Sequence, residues 1–367
     1  CGRIAGNLKG ALKRGKITEE KYNALTTIAL EVSQSYDSLK DADLVIEAVF
    51  EDMSVKRDVF GKLDAVCKPG CVLASNTSYL DVNEIAASTS RPADVIGLHF
   101  FSPAHVMKLL EVVVADQTAP DVVATGFALG KALGKISVRA GVCDGFIGNR
   151  ILATYRTAAD HMVLDGASPY QIDKALTDFG FAMGPFAVAD LAGLDIGWAT
   201  RERKAPDRHP DERVPTYIDR LCEQGHFGQK TGQGYYIYEE GKRGRVPNPE
   251  INRLIEEEQC ELGITPRDFS DDEILRRYMC AMVNEGAKVV GEGIARRPLD
   301  VDMVLLFGYG FPRYWGGPLK WADIQGLDAV LADIEHFAQS DAWFWQPAPL
   351  LKKLVAEGLT FDDLNKE

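Results

Sequence analysis

The sequence predicts an α/β domain followed by an all-α region, and three observations lead to this fold class. In the first 140 residues, short apolar runs alternate with stretches whose apolar residues recur at helical spacing, which is typical of a parallel sheet covered by helices. Beyond residue 140, most of the chain has helical spacing. Several motifs of that region recur in the last third of the chain, which indicates a duplicated helical unit.

The elements of the α/β domain follow one another along the chain. Helices are predicted from Cys1 to residue 12 and at residues 54–63, 81–87 and 119–133. Buried strands are predicted from Val72 and at residues 44–46, 95–98, 109–114 and 136–138. No Gly-x-Gly-x-x-Gly follows a strand near the start. We therefore expect an incomplete Rossmann-type parallel sheet, in a fragment whose first strand, glycine loop and ribose-reading acid lie upstream of Cys1.

The helical region contains two copies of one pattern. Ile172-Asp173, Gly184-Pro185 and Ala189-Asp190 recur as Val301-Asp302, Gly317-Pro318 and Ala322-Asp323. The second copy lacks a counterpart of Phe146-Ile-Gly-Asn149, so we expect it to have a structural role. Charged and proline-containing residues 239–250 predict a linker between the copies. The predicted domains are residues 1–140, 141–245 and 246–367.

Polar side chains follow three successive strands of the predicted sheet. Glu47 and Glu51 follow the first strand, residues 75–78 end the second, and His99 ends the third. Ligands of parallel sheets bind outside the carboxyl ends of the strands. This convergence is hard to explain by packing alone, and it indicates a functional site.

His99 is the candidate catalytic residue, and Glu111 is its candidate partner on the next apolar run. A carboxylate that is hydrogen-bonded to one ring nitrogen fixes the tautomer and makes the other nitrogen a better proton acceptor. A lone histidine is more often structural, and only the convergent strand ends favour the catalytic interpretation. We expect nearby His105 to be a surface histidine rather than a second base.

Composition and charge exclude several classes of protein. The net charge of 41 − 54 = −13 argues against a general nucleic-acid binder, and no apolar run is long enough to span a bilayer. The seven cysteines are scattered, odd in number and without a Cys-x-x-Cys pair, and no cluster suggests a metal site. A reduced, intracellular protein follows, and we expect it to be cytoplasmic.

The sequence resembles the L-3-hydroxyacyl-CoA dehydrogenase family over nearly all its length. The motifs that carry the resemblance are Asp43-Leu-Val-Ile-Glu-Ala-Val, Ser75-Asn-Thr-Ser78, His99-Phe-Phe-x-Pro, Met107-Lys-Leu-x-Glu111, Gly145-Phe-Ile-x-Asn-Arg150, Met183-Gly-Pro-Phe186 and Lys230-Thr-Gly-x-Gly-Tyr. The duplicated helical region is similar to that of multifunctional β-oxidation enzymes. The resemblance implies an NAD-binding domain at 1–140 that lacks its first βα unit. It also implies an acyl-CoA substrate, and either an N-terminal enoyl-CoA hydratase domain or a thiolase subunit as a partner.

The same resemblance implies a role for each matching residue. His99 is the base and Glu111 orients it, while Ser78 and Asn149 bind the substrate. The expected NAD-binding residues are Glu51, Lys56, Asn76 and Ser102. An ordinary exposed acid is an equally good interpretation of Glu51. Ser102 stands where the family usually has asparagine, which puts its role in doubt because serine is shorter and has one donor fewer.

Two other functions compete with an NAD-dependent 3-hydroxyacyl-CoA dehydrogenase. One is a non-catalytic descendant that binds CoA or NAD or serves as a structural protein, and the intact candidate site argues against it. The other is a serine hydrolase that uses Ser78 and His99, but no Gly-x-Ser-x-Gly turn is present. Tyr309 is expected to pack in the core rather than to line an acyl channel.

Overall fold

A five-stranded sheet forms the first domain of the computed structural model, which describes residues 2–239, 241 and 244–366. Its strands lie in chain order and are β1 (Leu44–Glu47), β2 (Val72–Ser75), β3 (Val95–Phe100), β4 (Leu109–Val113) and β5 (Ile136–Ala140). The strand pairs β1–β2, β2–β3 and β4–β5 are parallel, whereas β3 and β4 are antiparallel. The predicted α/β fold is confirmed, but the sheet is only mostly parallel, because the short connection between β3 and β4 reverses the chain direction.

Helices cover both faces of this sheet, and the central strands β2, β3 and β4 are accordingly buried almost throughout. The helices of this domain are α1 (Gly2–Lys13), α2 (Glu19–Thr27), α3 (Met53–Val66), α4 (Val82–Ala87) and α5 (Pro120–Ala132). The Asp52 side chain caps α3 by accepting a hydrogen bond from Val55 N. Helix α3 then buries Lys56, Val59, Phe60 and Leu63, the spacing of one helix face. Cys1, the predicted start of α1, lies outside the described residues.

In the described part of the remaining chain, the regular elements are helices apart from two short strands. Its first part comprises α6 (Gly148–Leu164), α7 (Pro169–Phe179), α8 (Pro185–Ala192), α9 (Leu194–Lys204), α10 (Tyr217–Glu223) and β6 (Tyr236–Ile237). Its second part comprises β7 (Val246–Pro247), α11 (Pro249–Leu262), α12 (Asp271–Gly291), α13 (Pro298–Gly308), α14 (Pro318–Gln325), α15 (Leu327–Phe337) and α16 (Pro349–Glu357). We call α6–α9 the first helical unit and α12–α15 the second helical unit.

The two helical units repeat one hydrogen-bonding device. In the first unit, the buried Asp173 carboxylate accepts hydrogen bonds from the backbone of Phe186 and Ala187, at 2.9 and 3.0 Å, where α8 begins. In the second unit, buried Asp302 accepts from Leu319 and Lys320, at 2.8 and 3.3 Å, where α14 begins. Each carboxylate satisfies amides that a helix N-terminus leaves without partners. The expected duplication is therefore present in the bonding as well as in the sequence.

The prediction of a linker at 239–250 is wrong for residues 246–250, most of which belong to regular elements. Strand β7 pairs with β6 in antiparallel fashion, and α11 starts at Pro249, while Glu240, Lys242 and Arg243 lie outside the described residues. Helix α11 packs on the first unit, where its Gln259 side chain donates to the carbonyl of Leu164 at 3.0 Å. The backbone is ordered here because it finds hydrogen-bond partners in neighbouring elements. The domain boundaries themselves stay a prediction.

The second helical unit also contacts the sheet. Gly308, at the end of α13, lies so close to Leu109 of β4 that an added Cβ would come within 2.5 Å of its side chain. Just before α13, the carbonyl of Ile294 accepts a hydrogen bond of 2.8 Å from Gly141, next to the end of β5. Within the described residues, no helix combines the length and apolarity needed to cross a membrane.

Candidate active site

His99 and Glu111 lie opposite each other on β3 and β4. The antiparallel register pairs these two residues directly, and opposed residues of an antiparallel pair share one face of the sheet. Nδ1 of His99 lies 2.6 Å from Oε2 of Glu111, and both residues are buried. The predicted catalytic pair is therefore brought together by the antiparallel pairing of β3 and β4.

Glu111 also joins the sheet to the helical region. Its Oε1 accepts hydrogen bonds from the backbone of Ile147 and Gly148, at 3.2 and 3.0 Å, at the start of α6. No side chain of the helix itself caps this end. The preceding residue, Phe146, has a φ of 50°, a conformation that few residues other than glycine adopt. A helix N-terminus and an imidazole thus contact the same carboxylate.

The contact between His99 and Glu111 determines the tautomer of the His99 ring. Because a carboxylate only accepts, the tautomer of the neutral imidazole that fits this contact carries its hydrogen on Nδ1 and leaves the Nε2 lone pair free. Nε2 has no hydrogen-bond partner in the part of the chain that the structure describes. The ring lies between two aromatic neighbours, with centroids 4.5 Å from Phe101 and 5.7 Å from Phe146. The geometry is that of an oriented proton acceptor.

Ser78 and Asn149, the expected substrate-binding residues, are neighbours in the structure. Ser78 lies in the loop after β2, and Asn149 is the second residue of α6. The Asn149 amide donates to the Ser78 carbonyl at 3.5 Å. No hydrogen bond links the Ser78 hydroxyl to His99 in the described region, so the contact that a serine nucleophile needs is not made. Substrate binding by both residues remains a prediction.

Glu51 holds the Ser78 loop in place. Its Oε1 accepts hydrogen bonds from the Thr77 hydroxyl and from the backbone of Ser78 and Tyr79, at 2.6, 2.7 and 3.0 Å. Burial raises the pKa of Glu51, but these hydrogen bonds and the charge of Lys56 outweigh it and hold the pKa below its usual value. Thr77, which sequence reasoning left without a role, is part of this support.

Lys56 lies in a buried polar network. Its ammonium group contacts the Glu47 carboxylate at 2.9 and 3.1 Å and Glu51 at 3.5 Å. Glu47 also accepts from the Ser75 hydroxyl at 2.7 Å. A buried charge needs such partners, so the network ties the ends of β1 and β2 to α3. The expected contact of Lys56 with NAD stays a prediction.

The other two expected NAD-binding residues differ in their surroundings. Asn76 is half-buried, and its side-chain oxygen accepts a hydrogen bond of 2.8 Å from the backbone of Phe100, which joins the ends of β2 and β3. Ser102 is exposed in the connection between β3 and β4. Asn76 is thus held at the site by a hydrogen bond, whereas the described contacts show no such bond for Ser102. The NAD-binding roles of both residues remain predictions.

Two contacts from the second helical unit were missed by sequence reasoning. The Tyr309 hydroxyl donates to Oδ1 of Asn149 at 2.8 Å. The Arg150 guanidinium pairs with Glu285 on α12 at 2.6 Å and with Glu292, the residue directly after α12, at 2.5 and 2.9 Å. Burial lowers the pKa of Arg150, but these two carboxylates outweigh it, and the pKa is raised. Both contacts join residues more than a hundred positions apart, and no local pattern predicts such pairs.

Family models match both halves of the chain. The model described as 3-hydroxyacyl-CoA dehydrogenase, NAD binding domain, matches residues 1–143. The model described as 3-hydroxyacyl-CoA dehydrogenase, C-terminal domain, matches residues 145–238 and again 274–362. The second match confirms the duplication, and the first confirms the expectation of an NAD-binding domain.

Relatives and solved structures extend these matches. The chain is 48% identical over 343 residues to the peroxisomal bifunctional enzyme of Danio rerio, covering 90% of this chain and 48% of that protein. It is 36% identical over 362 residues to the glyoxysomal fatty acid beta-oxidation multifunctional protein of Brassica napus, covering 97% and 50%. The crystal structure of 3-hydroxybutyryl-CoA dehydrogenase from Escherichia coli K12 superposes with a TM-score of 0.83 at 26% identity, covering 97% of this chain and 90% of that one.

The expectation of a cytoplasmic protein is wrong, since the relatives are peroxisomal and glyoxysomal proteins. Cysteine usage indicates a reducing environment, but neither it nor the net charge identifies an organelle. Proteins are directed to organelles by short signals that receptors recognise.

The chain spans about half the length of the curated relatives that it matches. The family models match most of its residues and its two helical units separately. The predicted resemblance is therefore confirmed, and the chain belongs to the 3-hydroxyacyl-CoA dehydrogenase family.

Proposed function

We propose that this protein oxidises L-3-hydroxyacyl-CoA to 3-ketoacyl-CoA with hydride transfer to NAD, in fatty-acid β-oxidation. The observation that carries the proposal is the buried contact of 2.6 Å between Nδ1 of His99 and Glu111. It leaves Nε2 as a free proton acceptor, and the oxidation of a secondary alcohol needs such a group. The family membership supports the substrate class and the cofactor.

The proton moves from the 3-hydroxyl of the substrate to Nε2 of His99. The imidazolium that forms is stabilised by the Glu111 carboxylate, which contacts the other ring nitrogen. Because Glu111 is buried, water screens its attraction to the imidazolium only weakly. Two backbone amides at the start of α6 hold that carboxylate in place. The charge on His99 is thus stabilised by groups that are already oriented before the reaction.

Ser78 and Asn149 position the substrate oxygen in this proposal. The Glu51 carboxylate holds the Ser78 loop through three hydrogen bonds, and α6 carries Asn149. Fixing the oxygen near Nε2 of His99 converts an encounter into a reaction within one complex, which lowers the barrier.

The residues at the carboxyl ends of β1 and β2 fit the nicotinamide end of NAD. Exposed Val49 and Phe50 offer an apolar surface after β1, and Asn76 offers an amide after β2. These three residues would hold the ring, and bound NAD would accept the hydride. No Gly-x-Gly-x-x-Gly that could bind the pyrophosphate follows a strand near the start of this chain.

The partners of the whole protein belong to the same proposal. The relatives are named as bifunctional and multifunctional proteins, which supports a second activity beside the dehydrogenase. An enoyl-CoA hydratase would supply the 3-hydroxyacyl-CoA that this site consumes, and a thiolase would consume its 3-ketoacyl product.

NADH formation from an L-3-hydroxyacyl-CoA tests the proposal, measured with this chain and with any longer form of the protein that contains it. The His99→Gln variant should lose turnover by roughly 10²- to 10⁴-fold, because the general base is removed. His105→Gln is the matched control, since His105 is exposed and lies in the connection between β3 and β4. It should keep normal turnover.

Two results would contradict the proposal. Normal turnover of His99→Gln would remove His99 as the base. Acyl-CoA binding by the folded wild-type proteins without NADH formation would favour the non-catalytic alternative.

A further inference from the structure

Tyr309 belongs to the second helical unit but contacts a candidate substrate-binding residue of the first. It directly follows α13, and its hydroxyl donates to Oδ1 of Asn149 at 2.8 Å. Nothing in the order of the chain brings them together, since they are 160 positions apart. The second unit therefore reaches the candidate active site through this side chain.

The Tyr309 ring is held tightly in its position. An added Cβ on Gly148 would lie 2.4 Å from the ring, so only glycine leaves room for it. On another side, the ring meets Phe101 edge to face, with a centroid distance of 5.5 Å, and Phe101 in turn lies beside the imidazole of His99. A ring confined in this way holds its hydroxyl at one place relative to α6.

Asn149 needs such a partner because its amide can rotate. The terminal torsion of asparagine is broad, and its oxygen and nitrogen ends have nearly the same shape. The Ser78 carbonyl can only accept, so it selects the amide nitrogen, at 3.5 Å. The oxygen end then faces the Tyr309 hydroxyl, which donates to it.

The Tyr309 hydroxyl remains a donor at ordinary pH. Burial raises its pKa well above the usual value, and the nearby charge of Glu111 raises it further. A phenolate at this place would repel the amide oxygen, whereas the neutral phenol satisfies it.

We propose that Tyr309 is a positioning residue for the dehydrogenase, fixing the Asn149 amide so that its N–H groups face Ser78 and the substrate oxygen. The second helical unit thus supplies part of the active site rather than structural support alone. The inference rests on the proposed function. Preorganised donors near a reacting oxygen contribute strongly to catalysis, and a small misplacement costs much of that contribution.

The pairing of Arg150 with α12 supports the same role for the second unit. Arg150 directly follows Asn149, and its guanidinium pairs with Glu285 of α12 and with Glu292, which directly follows α12. The second unit therefore contacts the first turn of α6 at two neighbouring residues, through these ion pairs at Arg150 and through the Tyr309 hydroxyl at Asn149.

The test is Tyr309→Phe, which keeps the ring and removes only the hydroxyl. We expect kcat/KM for L-3-hydroxyacyl-CoA to fall about tenfold, with NADH affinity and melting temperature close to those of the wild type. Tyr314→Phe is the matched control, because the Tyr314 hydroxyl also bridges the units, to the carbonyl of Phe179. It should keep wild-type kcat/KM.

A double-mutant cycle separates positioning from a general packing effect. Asn149→Ala should lower activity by itself, and adding Tyr309→Phe should lower it no further. A tenfold loss that persists in the Asn149→Ala protein, or that Tyr314→Phe shares, would overturn the inference. So would a Tyr309→Phe enzyme with wild-type kcat/KM. An inactive wild type would instead overturn the proposed function itself.

Discussion

Helices α6 and α12 are counterparts in the two helical units, but their N-termini are stabilised in different ways. The Ser270 side chain caps α12 by accepting a hydrogen bond of 3.1 Å from the backbone of Glu273, and this Ser-x-x-Glu pattern is visible in the sequence. Helix α6 has no side-chain cap of its own. Its first amides bond to Glu111, which comes from the sheet.

This difference in capping shows which of the two duplicated helices is linked to the candidate active site. A locally capped helix is self-sufficient, so α12 can serve as support for its neighbours. A helix capped by a distant carboxylate ties that carboxylate to itself, and here the same carboxylate orients His99. The start of α6 thus combines helix stability with the orientation of His99, the proposed base, whereas the start of α12 is stabilised by its own side chain.

The largest effect is expected from Glu111→Gln. The amide oxygen can still accept from the start of α6, but the charge that stabilises the imidazolium is lost. We expect kcat to fall on the order of 10³-fold with only a small change in melting temperature. Steady-state NADH formation and thermal unfolding measure the two effects. Turnover within threefold of the wild type would mean that α6 and α12 differ only in how they are capped.

A second prediction concerns the equivalent carboxylates Asp173 and Asp302. Asp173 has a third donor, the Tyr236 hydroxyl at 2.7 Å, for which the described contacts of Asp302 show no counterpart. Burial raises the pKa of Asp302 to about 8, although the amides of Leu319 and Lys320 lower it. Since the folded state binds this proton more tightly than the unfolded state, its stabilising contribution is complete below about pH 4 and is lost as the pH rises towards 8.

The free energy of unfolding should therefore fall between pH 6 and 8, with a contribution from Asp302 of at most about 1.4 kcal/mol per pH unit. Denaturant titrations at several pH values should show a flatter dependence for Asp302→Asn. Asp190→Asn is the control, because burial raises the pKa of Asp190 only to about 6, and the slope above pH 7 should persist. An unchanged slope in Asp302→Asn would contradict the prediction.

The smallest effect is expected from Ser270→Ala, which removes the local cap of α12. The loss should be about 1 kcal/mol of unfolding free energy, the usual contribution of an N-cap side chain. Turnover should not change, since the described side-chain hydrogen bond of Ser270 is the one to its own helix. Chemical denaturation measures the loss of stability, and NADH formation measures turnover. A marked loss of turnover at unchanged stability would show that the two helix starts are less different than their caps suggest.

Much of this protein could be predicted from its sequence. Apolar periodicity placed the five strands and most helices, because burial on one face of an element imposes its period on the chain. The polar residues at successive strand ends indicated the site, and the repeated Asp-containing motifs indicated the duplication. His99 and Glu111 were predicted as a catalytic pair because residue type and strand position together point to proton transfer, and the structure brings the two side chains into contact.

Only the tertiary structure decided how these parts meet. The antiparallel β3–β4 register placed Glu111 opposite His99, and the fold directed the same carboxylate to α6. The fold also paired Lys56 with Glu47 and brought Tyr309 to Asn149. Local patterns record which residues are buried and in which element, because those properties depend on near neighbours. Contacts between distant residues depend on how whole elements pack, and no short stretch of sequence contains that information.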